Sequence, residues 1–91
     1  MNMKIKNRVA ELLAIKAREE GRGRISNMEV VRETGLSKYT VDQYVNNRIT
    51  RYDQSSLVSF CNYLNCDIGD LLYYEEDEIN PEVKTPLLAT G

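Results

Sequence analysis

The sequence predicts an all-α fold: five helical segments in residues 1–74, then a flexible acidic tail in 75–91. Three observations carry that expectation. Apolar residues recur at helical spacing in five successive stretches between Lys4 and Leu72. Gly21, Gly35, Asn47 and Asn65 stand where the first four stretches end, and Gly and Asn are the residues that most readily take the left-handed conformation of a helix stop. Beyond Tyr74 the pattern gives way to Glu75-Glu76-Asp77-Glu78 and two prolines, Pro81 and Pro86, the composition of a solvated segment. No strand is expected in residues 1–74.

The first helix is expected over about Lys4 to Glu20. Ile5, Val9, Leu12 and Leu13 form its apolar stripe, Ala10, Ala14 and Ala17 favour helix, and Gly21 stops it. The second opens at Ser26, with Glu29 three residues on in capping-box spacing, and stops at Gly35. Ser37 caps the third, which runs from Lys38 to Asn46 with Val41, Tyr44 and Val45 on one side. Asp53, Ser55 or Ser56 caps the fourth, whose stripe is Leu57, Phe60, Cys61 and Leu64. Asp67 caps the fifth, with Ile68, Leu71 and Leu72 as its apolar face. Two short helices joined by Gly35-Leu36-Ser37 have the form of a helix-turn-helix unit.

Composition excludes several functions. The 91 residues suit one domain with a tail. There is no His, so His-based acid–base catalysis and His metal ligation are absent. Two Cys do not make a four-ligand zinc site or a disulfide scaffold, and Cys61 and Cys66 read as small buried hydrophobes. Neither a nucleophile with a partner base nor a phosphate-cradling loop is present, and no enzyme, metal or cofactor is expected. No apolar run is long enough to span a membrane. Met1 to Lys6 alternates charged and apolar residues, unlike the core of a signal peptide, so a cytoplasmic protein is expected.

The formal net charge of −2 hides a strong asymmetry. Residues 1–52 hold eleven Lys and Arg against six Asp and Glu, residues 53–74 hold three acids and no base, and residues 75–91 hold five acids and one base. The helix-turn-helix pattern lies in the basic half. Lys38, Arg48 and Arg51 flank its second helix, and Arg22, Arg24 and Arg32 lie near its first. A helix entering a DNA groove needs such neighbours, because phosphate contacts supply much of the affinity.

From Ile25 onward the residues resemble the phage Cro/repressor-type (XRE) helix-turn-helix domain. The likeness rests on Ile25 to Val31, Thr34 to Val41, Asn46-Asn47-Arg48, and Leu57 to Tyr73 with its Asp67-Ile68-Gly69-Asp70-Leu71-Leu72 block. It implies a compact five-helix bundle of the lambda-repressor-like type and a sequence-specific regulator of transcription. In such a regulator the second helix of the motif enters the major groove of double-stranded DNA, normally as a homodimer on an inverted repeat. Carried over by position, Ser37, Lys38, Tyr39, Asp42 and Gln43 are the implied base contacts. Asn27, Thr40, Asn46, Arg48 and Arg51 are the implied backbone contacts. Lys38 suits guanine O6 or N7, Gln43 adenine, Asp42 the amino group of cytosine, and Tyr39 a thymine methyl or a phosphate.

Two departures from the pattern stand out. The stretch between Ala14 and Ile25 is longer than in relatives and contains Arg22-Gly23-Arg24, read first as a connector, with a loop that reaches a phosphate or a minor groove as the alternative. Val45 and Asn47 replace a common Glu and a common Gly. Tyr44 and Tyr63 are expected to pack, and Tyr52, Tyr73 and Tyr74 to lie at a partner surface. The dimer surface is expected at the fifth helix and the residues after it. The alternative function is a protein-interaction module of the antitoxin or anti-repressor type, which keeps the same bundle and binds a protein partner through the acidic tail or the Tyr-rich end.

Overall fold

The computed structural model describes residues 3–76; the calls on residues 77–91 lie outside them. The chain runs β1 (Met3–Asn7), α1 (Val9–Glu19), α2 (Asn27–Thr34), α3 (Lys38–Val45), α4 (Gln54–Leu64), α5 (Ile68–Leu71) and β2 (Leu72–Glu76). All five helices expected from the sequence are present. The all-α expectation needs one correction, because β1 and β2 pair antiparallel, with Ile5 opposite Tyr74 and Asn7 opposite Leu72.

The first helix accordingly begins at Val9, not Lys4. Its buried stripe is Val9, Leu13 and Ala17, an i, i+4, i+8 series. Ile5 belongs to the strand and is exposed. Four residues, Met3 to Lys6, that alternate apolar and charged side chains fit either a helical stripe or a strand face. The decision falls to Leu72–Glu76, which offers a ladder to pair with. The second strand also carries the described chain two residues past Tyr74, into the acidic run.

The predicted caps fall into place. The Ser26 and Ser37 hydroxyls accept from the backbone N–H groups of Glu29 and Thr40, each at 3.1 Å. The Asp53 carboxylate accepts from Ser56 N–H at 3.0 Å, which selects it over Ser55 and Ser56 as the α4 cap. Gly35, Asn47 and Asn65 all have positive φ, as does Gly21 at the end of α1. Ile68 is an exception on α5: it is half exposed, and Leu71 alone of that helix is buried.

The core joins Val9, Leu13, Ala17, Ile25, Val30, Val41, Tyr44, Phe60 and Leu71. Its centre is aromatic: the Tyr44 ring lies 4.5 Å from that of Phe60 and 5.6 Å, edge to face, from that of Tyr52. Cys61 and Cys66 pack against this core. Burial, with Cys61 close by, pushes the Cys66 thiol up to about 11, so it stays protonated at neutral pH. Tyr52 and Tyr73, expected at a partner surface, have internal roles. The Tyr52 hydroxyl donates to the Ile5 carbonyl at 3.1 Å, and the Arg8 guanidinium sits 4.3 Å over the Tyr73 ring.

One pair of side chains ties the strands to the helix-turn-helix unit. Asn47 Oδ1 accepts from the backbone N–H of Asn7 at 2.9 Å and from Asn7 Nδ2 at 3.2 Å, while Asn47 Nδ2 donates to the Asn7 carbonyl at 2.8 Å. Asn7 Oδ1 in turn accepts from Val9 N–H at 2.9 Å and so starts α1. Asn47 thus acts as a side-chain extension of the ladder along the outer edge of β1. Gly at this position would satisfy the positive φ of 58° but not these bonds.

Two stability predictions follow from this packing. Asn47→Gly keeps the backbone conformation and orphans the Asn7 amide, so urea denaturation is expected to show a loss of about 1–3 kcal/mol; Asn47→Ala adds left-handed strain of roughly 1 kcal/mol. Equal stability of Asn47→Gly and wild type contradicts the role given to this pair. The buried Tyr44 hydroxyl has no hydrogen-bond partner of ordinary geometry among the described residues, although Ser56 lies beside it. Burial, reinforced by the charge of Asp53, pushes this phenol up to about 12. Tyr44→Phe is therefore expected to leave the melting temperature unchanged or higher, and a loss above about 1 kcal/mol contradicts that.

Candidate nucleic-acid interface

The turn Gly35-Leu36-Ser37 sets the direction of α3. Gly35 reverses the chain at φ 78°, Ser37 starts the new helix, and Val41 and Tyr44 are fully buried beneath it. With one face anchored, the opposite face points to solvent. Lys38 and Tyr39 stand on it, Tyr39 being 72% exposed. Gln43 is half-buried, and its amide makes no hydrogen bond among the described residues.

The other implied contacts divide by what already holds them. The Ser37 hydroxyl accepts from Thr40 N–H and donates to Thr40 Oγ1 at 3.0 Å, so both side chains serve the helix start. Thr40 is half-buried, on the side nearer the protein. Asn46 is exposed at the end of α3, and Arg48 and Arg51 are exposed in the connection to α4 without an ion pair among the described residues.

Asp42 is the hub of this surface. Its Oδ2 accepts from Lys38 Nζ at 2.7 Å, one helical turn back, and its Oδ1 accepts from Asn27 Nδ2 at 2.8 Å, at the start of α2. The Lys38 ammonium, followed by the Asn27 amide, holds the Asp42 carboxyl below its usual range. One carboxylate therefore orients two of the implied DNA contacts. Each of its oxygens retains a second lone pair, so an amino group reaches Asp42 only alongside Lys38 or Asn27.

The long connection after α1 is also pinned. Arg22 forms a two-pronged pair with Glu29, Nη1 to Oε2 at 2.7 Å and Nη2 to Oε1, and reaches Glu20 at 3.2 Å. Glu29 is spent on Arg22, and the reciprocal half of the expected capping box is not made among the described residues. Arg22 is thus tied to the protein, while Arg18 and Arg24 remain exposed. Val45, in place of a carboxylate, packs against the core as expected.

Sequence reasoning missed Lys4 and Lys6. Both lie on β1 and line a cleft with Asn47, Arg48 and Thr50. The signal was present in the Lys-Ile-Lys alternation, which has a strand's period of two. Among the described residues no group of side chains has the makings of a metal site, and no helix is long and apolar enough to cross a membrane.

Residues 21–77 match the model of the Cro/C1-type HTH DNA-binding domain. The chain belongs to that family. Its matched part begins at Gly21, so the Cro/C1-type domain here carries β1 and α1 ahead of the match. Among solved structures, the transcriptional regulator VanUg is 25% identical, with a TM-score of 0.60 over 85% of this chain and 92% of that one. A candidate DNA-binding protein from Bacteroides fragilis is also 25% identical, with a TM-score of 0.56 over 76% of this chain and 98% of that one. A transcriptional regulator from Listeria innocua shares the fold at 22% identity, with a TM-score of 0.51 over 93% of this chain and 77% of that one. No curated protein matches the sequence.

The depressed Asp42 carboxyl yields a test of the hub. Its folded value lies below its unfolded one, so its contribution is present above the unfolded value and is lost as pH falls through the folded one. Carboxyl-carbon NMR is expected to place its midpoint below that of an ordinary aspartate, and Lys38→Ala should move it upward. An unshifted midpoint in wild type contradicts the pairing.

Proposed function

We propose that this chain is a sequence-specific regulator of transcription that places α3 in the major groove of double-stranded DNA and binds an inverted repeat as a homodimer. The observation that carries the reading is the division of α3: Val41 and Tyr44 lock one face into the core, while Lys38 and Tyr39 are exposed and Gln43 is half-exposed beside them. In this reading Lys38 and Gln43 contact base edges, guanine and adenine respectively, and Tyr39 meets a thymine methyl or a phosphate. Asp42 aims Lys38 and Asn27, and takes a cytosine amino group beside them. Ser37 stands at the groove entrance. Asn27, Thr40, Asn46, Arg48 and Arg51 hold the backbone and set the register.

A single module of this size reads one half-site, which favours a dimer. The open edge of β2 supports a dimer surface after α5, because Tyr74 there is 73% exposed and β2 pairs only with β1 among the described residues.

Selection of bound sequences from a random duplex pool tests the proposal. Wild type is expected to recover an inverted repeat. The Lys38→Ala/Gln43→Ala protein should lose it, each lost base contact costing about 1–3 kcal/mol in discrimination. Binding indifferent to sequence and to both residues overturns the proposal.

A further inference from the structure

We infer that the cleft between β1 and the α3–α4 connection is a second DNA-backbone site, which takes phosphates of the duplex outside the bases that α3 reads. The inference rests on the reading above for its ligand, and it adds Lys4 and Lys6 to Arg48, which that reading already places at the backbone. The cleft has a volume of about 590 Å³, and Lys4, Lys6, Arg48, Thr50, Asn47 and Tyr52 contribute to its lining. Three of these are cations, and no carboxylate among the described residues lines it. Lys4 and Lys6 are two apart on a strand and so share a face.

The cleft is rigid where it matters. Its strand wall is bonded to its loop wall by the Asn7–Asn47 pair and by the Tyr52 hydroxyl on the Ile5 carbonyl. Arg48 follows directly on Asn47, so the lysines of β1 are held in a fixed relation to the end of α3. Cations pre-positioned beside a reading helix bind a polyanion without having to order a flexible arm.

Glu75 is one carboxylate that bears on these groups. It lies opposite Lys4 in the ladder, and its Oε1 is 3.9 Å from Lys6 Nζ. A partly exposed ion pair at that distance is weak and screened by salt. A phosphate can displace it, and Glu75 then tempers the cleft without closing it. The reach of the site is to the sugar–phosphate backbone, so it adds affinity and footprint but no sequence preference.

The test compares wild type with Lys4→Gln/Lys6→Gln, which keeps the side-chain stems and the strand, on selected duplexes with and without flanking base pairs and on a random duplex. On the long duplexes the variant should bind more weakly by a similar factor for every sequence, and the slope of log affinity against log salt should shrink by about 1 to 2. On the duplex trimmed to the bases under α3, the two proteins should bind alike. Glu75→Gln should act in the opposite sense and strengthen binding to long duplexes, which a folding defect does not do. An unchanged salt slope in the lysine variant, or a loss that persists on the trimmed duplex, overturns the inference. A wild type that binds without sequence preference defeats the reading by α3 alone, since the salt slope on random duplex still decides for or against the cleft.

Discussion

The pairing of Asn7 with Asn47 is the constraint on which the placement of the candidate interface depends. The chain leaves α3 through a left-handed residue at position 47, a conformation that Gly adopts at lowest strain. Asn at position 47 adopts it and also bonds the N–H, the carbonyl and the side-chain amide of Asn7. Asn7 is itself the residue whose Oδ1 accepts from the first N–H of α1. One side-chain pair therefore joins the end of α3, the end of β1 and the beginning of α1. With the Tyr52 hydroxyl on the Ile5 carbonyl and Ile49 packed on the core, it fixes the loop that carries the exposed Arg48 and Arg51.

Electrostatics on that surface are arranged in the same economical way. The net charge of −2 says little, because the basic residues gather in the first 52 positions. Within that half several cations are already spoken for: Arg22 by Glu29 and Glu20, Lys38 by Asp42. What faces solvent without an ion pair among the described residues is a smaller group, with Arg48 and Arg51 beside α3. A surface in which lysine and asparagine are aimed by one carboxylate binds more selectively than a bare positive patch, since every misplaced phosphate also meets the negative charge of Asp42.

The helices were legible in the sequence because their signals are local. Ser26, Ser37, Asp53 and Asp67 mark starts, Gly35, Asn47 and Asn65 mark stops, and each acts within a few residues of itself. The outward positions of α3 were legible for the same reason, since Val41 and Tyr44 define its inner face. The strands were not, because β1 is defined by a partner some seventy residues away, and Lys4-Ile5-Lys6 alone fits a helix stripe as well as a strand face. The same non-local cause hid the duties of Tyr52 and Asn47, both of which bond to β1. The Asp42 hub was hidden too: the residue was singled out as a base contact, but its bond to Asn27 crosses from α3 to α2.

The most direct measurement of the central claim, that the helix started by Ser37 and fixed at Asn47 is the surface that meets DNA, is amide NMR during titration of the labelled protein with a duplex it selects. The account predicts shifts gathered at Ser37 to Gln43, at Asn27, at Arg48 to Arg51 and along β1, with the groove between α1 and α4 left unmoved. Shifts gathered in that groove, around Lys16 and Tyr63, with α3 silent, would contradict it.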